Sequence, residues 1–229
     1  MSKVLFVISA AQEWTLADGS TRETGFWAEE LVAPHRTFAN VGWEIAFATP
    51  GGREPVVDES SLESLNEMQR ESQEDYLAAI HYELSQPLDL AEVDEADYDV
   101  VFYPGGHGPM EDLAEDATSA ALLARRHAAG RPLALLCHAP AALLAVPADE
   151  NGEWPFAGYE MTAFSDVEEG EETLAKAKWS LEQRLRELGA DYRAADPLQP
   201  NVVKDRHLFT GQNPVSSEPL AQRILAALR

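Results

Sequence analysis

Short, largely apolar runs alternate along this chain with stretches whose apolar positions recur at helical spacing. Val4–Ser9, Trp43–Thr49, Val100–Tyr103 and Leu133–Leu136 are runs of the first kind. Their nearly continuous apolarity is that of strands covered on both faces. Thr24–Asn40 reads as a helix, with Phe26, Glu30, Val32 and Phe38 spread along it and Gly42 beyond its end. Further helices are predicted over 117–129, ending at Gly130, and over Ala139–Leu144. Another is predicted over 168–188, with a break near Lys178 and an end at Gly189. The last lies at the C-terminus, where Leu220, Ile224, Leu225 and Leu228 form the buried stripe. Glu160–Ala163 reads as a strand, and Val202–Thr210 as two short strands around a turn at Asp205-Arg206. Strand and helix in alternation predict an α/β fold with a mainly parallel central sheet and helices on both faces.

Two segments need separate treatment. Residues 53–98 are acidic and read as mostly helical, with Leu62, Leu65, Leu77, Ile80 and Leu84 as contacts with the body. Those apolar positions are too sparse for a second core. The segment is therefore read as an excursion from one domain spanning 1–229. The opening MSKVLFVISAAQEW has one lysine and an apolar stretch too short for a secretory signal, so it reads as the first strand.

Composition adds little until charge is counted. A chain of 229 residues with 45% hydrophobic and 25% charged residues is ordinary for a globular protein. No run approaches membrane-span length. The single cysteine, Cys137, excludes an intramolecular disulfide and makes the cytoplasm the expected compartment. Forty acidic residues against 17 basic ones, however, leave a net charge of −23. Such a surface argues against nucleic acid or an anionic membrane as partner. Only Lys3, Lys176, Lys178 and Lys204 are lysines. Acidity with scarce lysine favours a halophilic source, a salt-rich cytoplasm in which the repulsion is screened, over a merely acidic enzyme.

The chemistry centres on LALLCHAPAALLA (133–145), where the sole thiol, followed by His138, stands between a buried strand and a predicted helix. A nucleophile at such an elbow is lifted clear of the sheet beside free N–H groups, which favour a thiolate and can hold an oxyanion. Pro140 suits the first turn, where no N–H is needed. A lone buried cysteine is more often a small hydrophobe. The adjacent histidine, the elbow and a second loop, Pro104-Gly105-Gly106-His107-Gly108, tip the reading to a nucleophile. In a parallel sheet both loops end strands on the side where ligands bind. Gly105 and Gly106 can therefore offer backbone N–H groups to a substrate oxygen, with His107 as a substrate contact across the crevice.

These residues also carry a resemblance. FYPGGHGPMEDL (102–113), LLCHAPAALL (135–144), MTAFSDVEEGEE (161–172) and LFTGQNPVSS (208–217) resemble, in order, the motifs of the ThiJ/PfpI superfamily with its class I glutamine-amidotransferase-like fold. TGFWAEELVAP (24–34) is similar to the first helix of the glutathione-independent glyoxalase branch, also described as heat-shock-type chaperones. The resemblance implies a flavodoxin-like α/β sandwich and a homodimer. It implies Cys137 as nucleophile, His138 as its acid/base partner and Glu30 as the carboxyl that reaches the thiol. Glu169 falls on the acid that orients the histidine, with Asp166 and Glu168 as rivals. Ala139 stands where the family often has glycine.

The activity implied is conversion of methylglyoxal, or a similar 2-oxoaldehyde, to a 2-hydroxy acid through a cysteine hemithioacetal, without cofactor. The alternatives are a holdase chaperone or deglycase-like repair protein, and another cysteine hydrolase or amidase on the same fold. If Glu30 lies against Cys137, two anions would meet in a crevice of low dielectric. The expectation is then a thiolate beside a protonated Glu30, titrating as a coupled pair. His35, His81, His127 and His207 lack the clustered spacing of a metal site, so no metal is expected. Trp14, Trp27 and Trp179 are read as packing, and TGQNP (210–214) as a structural turn.

Overall fold

The computed structural model describes residues 2–228; Met1 and Arg229, the ends of the expected 1–229 span, lie outside the described residues. Seven strands form the central sheet: β1 (Lys3–Val7), β2 (Glu44–Thr49), β3 (Leu88–Asp89), β4 (Val100–Tyr103), β5 (Leu133–Leu136), β6 (Val202–Asp205) and β7 (Leu208–Gly211). Their order is β6-β7-β5-β4-β1-β2-β3, parallel throughout except for the β6–β7 hairpin at one edge.

Alternation along the inner strands explains their continuous apolarity. Leu5, Val7, Val101, Tyr103, Leu133 and Leu135 face one layer, which contains α3 (Ala117–Ala128) and the chain around Phe156 and Leu185. Val4, Phe6, Val100, Phe102, Ala134 and Leu136 face the other, against α1 (Ala28–Asn40) and α4 (Ser217–Ala227). Each buried Leu or Phe contributes roughly 1.5–3 kcal/mol, so a strand carrying four of them has one favourable place, inside. A buried guanidinium fastens the layers: Arg126 donates to the carbonyls of Glu95, Tyr98, Asp99 and Pro132 at 2.6–3.0 Å.

Several elements depart from the sequence reading. The first helix begins at Ala28, because residues 24–27 are extended. Phe26 bridges Val57, and the Trp27 N–H donates to the Gly105 carbonyl at 3.2 Å. Segment 53–98 contains the helices Glu59–Glu63, α2 (Glu67–Ala79) and His81–Leu84, and then supplies the edge strand β3. Glu160–Met161 pairs with Asp191–Tyr192 outside the central sheet, and Thr162 and Ala163 are not part of that strand. The 168–188 stretch is broken twice, giving Asp166–Glu169, Glu171–Lys176 and Leu181–Glu187, since Gly170 at φ 80° ends the first turn. The stretch after Cys137 is a 3-10 helix, Ala139–Ala145, not an α-helix. The β6–β7 turn falls at Arg206-His207, and Leu228 is exposed beyond the last buried position of α4, Ile224. Among the described residues no helix is long and apolar enough to cross a membrane.

Candidate active site

The C-terminal ends of β4 and β5 lie side by side, through the pairs Phe102–Ala134 and Tyr103–Leu135. Each strand breaks there into the loop that carries the chemistry. After β5, Cys137 adopts φ 61°, a left-handed conformation that is uncommon for a side chain larger than hydrogen and strains the turn between strand and helix. Its N–H is held by the Gly211 carbonyl at 2.9 Å, and its carbonyl accepts from Phe164 N–H at 2.9 Å. The backbone is thus gripped from both sides. That second bond also brings the 162–169 segment over the site.

After β4, Gly105 and Gly106 pass where no side chain fits. A Cβ on Gly105 would lie 2.6 Å from the Leu136 carbonyl and 2.9 Å from Cys137 Cβ. One on Gly106, at φ 94°, would lie 2.3 Å from the Gly25 carbonyl. Close approach, not flexibility, makes these positions glycine. The reward is an N–H of Gly106 directed at the Cys137 sulfur and an N–H of Gly105 donated to Glu30 Oε2 at 2.8 Å.

Cys137 Sγ is 3.2 Å from His138 Nδ1, and His138 Nε2 is 2.6 Å from Glu169 Oε2. Of the three acids considered, Glu169 is the one that meets His138. Asp166 accepts from Ser180, and Glu168 accepts from Ser165, Gln212, Asn213 and the Leu198 N–H. Cys137 and His138 are each 3% exposed, so both side chains are withdrawn from bulk water.

His107 also reaches the site, though not as a free substrate contact. Its Nε2 lies 2.8 Å from Glu169 Oε1 and its Nδ1 2.9 Å from the Arg22 guanidinium, so both nitrogens are engaged. Its ring stacks on Trp14 at 4.5 Å and lies 4.2 Å from the His138 ring. Trp14 is buried packing, but packing of a site residue. Arg22 carried no signal in the sequence, being an exposed residue of a three-residue strand.

The electrostatics follow from burial. Fully buried, Glu30 has its carboxyl pushed up to about 8 by loss of solvation, against the pull of the Gly105 N–H on Oε2, while its Oε1 has no hydrogen-bond partner among the described residues. It is therefore the protonated partner, in the expected direction. The thiol is corrected: burial pushes Cys137 up and the Gly106 N–H only partly opposes it, so the resting sulfur is a thiol. The 3-10 stretch that follows lacks the aligned α-helical N-terminus on which the thiolate expectation rested. Burial also acts to raise Glu169, but the bonds from His107 and His138 outweigh it and hold this carboxyl well below the usual range. His107 is lowered to about 4, chiefly by burial, and is neutral near pH 7.

Among the described residues, His107, His138 and Glu169 bring three ligand-type atoms within 4.8 Å. Each Glu169 oxygen already takes an imidazole N–H, and a metal would need those nitrogens as lone pairs. Of the four histidines whose spacing gave no metal cluster, His127 and His207 have ring centroids 5.1 Å apart, packed with Phe156 and Tyr159. A cavity of about 1120 Å³ opens beside Arg22, Thr24, Asp58 and Asp112, but none of Cys137, His138, Glu30 or Glu169 lines it.

Comparison with known proteins identifies relatives that match over most of the chain. The chain is 28% identical over 235 residues to the glutathione-independent glyoxalase HSP31 of Saccharomyces cerevisiae, covering 99% of this chain and 98% of that one. It is 28% identical over 229 residues to the protein/nucleic acid deglycase HchA of Pseudomonas aeruginosa, covering 96% and 78%. The crystal structure of glyoxalase III from Candida albicans superposes with a TM-score of 0.82 at 25% identity, covering 99% and 97%. Residues 22–227, from the Arg22 strand through the last helix, match the DJ-1/PfpI family, and the chain belongs to that family.

Proposed function

We propose that the protein is a cofactor-independent glyoxalase, a lyase of the D-lactate dehydratase type, acting on methylglyoxal or a related 2-oxoaldehyde. The observation that carries this reading is the unbroken chain from Cys137 Sγ through His138 to Glu169, with links of 3.2 and 2.6 Å, on a strained elbow beside a protonated Glu30. Glu169, as the carboxylate, takes the proton-bearing Nε2 of His138, which leaves the Nδ1 lone pair facing the thiol. That nitrogen accepts the thiol proton as sulfur bonds to the aldehyde carbon. Neutral Glu30 adds no repulsion to the negative charge that then develops. The N–H groups of Gly106 and His138 stabilise the new oxyanion, which takes the thiol proton back from His138 to give the hemithioacetal.

His138 next carries the proton from the former aldehyde carbon to the neighbouring carbon through an enediol, while the hydroxyl proton on the first carbon's oxygen passes to the oxygen of the second. The first carbon is now a thioester; one carbon has been oxidised and its neighbour reduced by the same electron pair. Water cleaves the carbon–sulfur bond, releasing the 2-hydroxy acid and restoring the thiol. One nucleophile and one acid/base suffice, and the electron count closes within the substrate. The two glyoxalase relatives support the reaction class. The deglycase relative favours a second reading, in which the same thiol attacks the carbonyl-derived carbon of a glycated side chain.

The deciding assay is lactate formation from methylglyoxal with glutathione omitted. Lactate is expected. Release of amine from glycated peptide without lactate would move the assignment to repair, and peptide cleavage without lactate would move it to hydrolysis.

A further inference from the structure

Strands Glu13–Thr15 and Thr21–Glu23 form an antiparallel hairpin in which Trp14 is paired with Arg22. Directly opposed residues send their side chains to one face. Here that face meets His107: Trp14 stacks on the imidazole, and Arg22 Nη2 lies 2.9 Å from Nδ1 with its guanidinium 5.2 Å from the Trp14 ring centre. The hairpin is pinned in this position. The Thr15 N–H and hydroxyl both donate to Glu111 at 2.8 Å, and the Ala17 N–H donates to the Lys176 carbonyl at 2.9 Å.

A guanidinium has only donors, so the His107 nitrogen facing it must present its lone pair. The single ring proton of the neutral imidazole is then on Nε2, where it is donated to Glu169 Oε1 at 2.8 Å. Without Arg22 the proton could reside on Nδ1, and an Nε2 lone pair would face a carboxylate. Glu169 would lose one of its two imidazole donors and with it the constraint that keeps Oε2 on His138.

We propose that Arg22 is a positioning residue: it fixes the His107 tautomer and, through His107, holds the Glu169 carboxylate that orients His138. It touches none of the reacting atoms. The assignment rests on the reading of Cys137 and His138 as the reacting pair. The charged or titratable groups facing His107 are Arg22, Glu169 and His138, and those facing Cys137 are His138, Glu30 and Glu169. An effect of Arg22 on the sulfur therefore passes through His107, and from there through Glu169 or the adjoining His138 ring.

The test uses the full chain in four forms: wild type, Arg22→Gln, Arg22→Lys and Arg53→Gln. Arg53 lines the same cavity as Arg22, so its loss makes the same change in charge without touching His107. Two readouts are taken: the rate of iodoacetamide alkylation of the sole thiol against pH, and kcat and KM for methylglyoxal. Arg22→Gln is expected to lower kcat roughly ten- to a hundredfold with KM little changed, as loss of a supporting hydrogen-bond partner does. It should also move the alkylation profile to higher pH, because a loosened His138 is a poorer acceptor for the thiol proton. Arg22→Lys, which keeps a cationic donor, should recover part of both, and Arg53→Gln should match wild type. An Arg22→Gln profile and kcat equal to wild type would overturn the assignment, as would an equal effect from Arg53→Gln. If no form turns over methylglyoxal but the Arg22→Gln alkylation profile still shifts, the substrate reading falls and the role of Arg22 stands.

Discussion

Cys137 carries the only thiol of the chain, so its reactivity can be followed without interference from another cysteine. Replacing it by serine removes one polarisable atom and leaves the elbow bonds of its backbone intact. A hydroxyl there stays protonated far above neutral pH. Cys137→Ser is therefore expected to melt within a few degrees of wild type while lactate formation falls by roughly a thousandfold or more. Comparable turnover in the serine form would remove Cys137 from the mechanism. Glu30 offers a separate measurement through stability. Its folded-state value of about 8 lies above the ordinary carboxyl value of 4.5, so the folded protein keeps a proton that the unfolded chain releases. The stabilisation this gives is complete below about pH 4.5 and is lost as pH rises through 8. Glu30→Gln keeps a neutral amide at every pH. Its melting temperature should therefore gain on wild type progressively across that window. Parallel curves would mean that Glu30 is ionised in the folded protein.

At the scale of elements, the site depends on the turn Asp166–Glu169. Ser165 caps its start, Glu168 returns the bond to Ser165, and Gly170 ends it. Both Glu168 oxygens are occupied, Oε1 by Asn213 and the Leu198 N–H and Oε2 by Ser165 and Gln212. An amide can replace only one of those oxygens. Glu168→Gln should therefore destabilise the protein by about 1–3 kcal/mol in chemical denaturation. Glu169→Gln should act mainly on kcat, and far more strongly than the corresponding changes at Asp166 and Glu168. If Asp166→Asn is the damaging variant, the orienting acid has been misassigned. The same scale shows what the sequence reveals. Val100–Tyr103 and Leu133–Leu136 are legible to the residue, because a strand covered on both faces has apolar side chains at every position. Cys137-His138 is legible from chain context, and Glu169 through family resemblance. The extended entry to α1 is not, because its form is dictated by Val56, Asp58 and Gly105 from other parts of the chain. Nor is the hairpin that carries Arg22, since Thr21–Glu23 is exposed at every position and shows no period. Its partner Trp14 is visible as a large apolar residue, but its place over His107 depends on a pairing that sequence does not display.

For the molecule as a whole, the governing quantity is the net charge of −23. Ion pairs do little to relieve it. Arg70–Glu74, Lys176–Glu172 and Arg193–Glu160 all join side chains that are about half or more exposed, and such pairs typically contribute only about 0–1 kcal/mol each. The unpaired excess is concentrated where packing is thin. Helix α2 has no fully buried residue and contacts the body through half-buried side chains such as Tyr76, whose hydroxyl bonds His35 at 2.9 Å. Added salt acts on this balance in two ways: it weakens the few exposed pairs and it screens the many repulsions. With 40 acidic residues against 17 basic ones, the second effect outweighs the first. The Debye length falls from roughly 10 Å at 0.1 M to about 3 Å at 1 M, so most of the relief comes within that range. The melting temperature is therefore expected to rise steadily from low to molar potassium chloride. Chloride is the salt to use, because sulfate would also raise stability by strengthening apolar burial. Hydrogen exchange in residues 59–84 should slow more over the same range than exchange in β1, β4 and β5, whose stability comes from the core. A melting temperature that is flat or falls between low and molar chloride would show that repulsion among these carboxylates does not limit stability, and would remove the physical ground for expecting salt-rich surroundings.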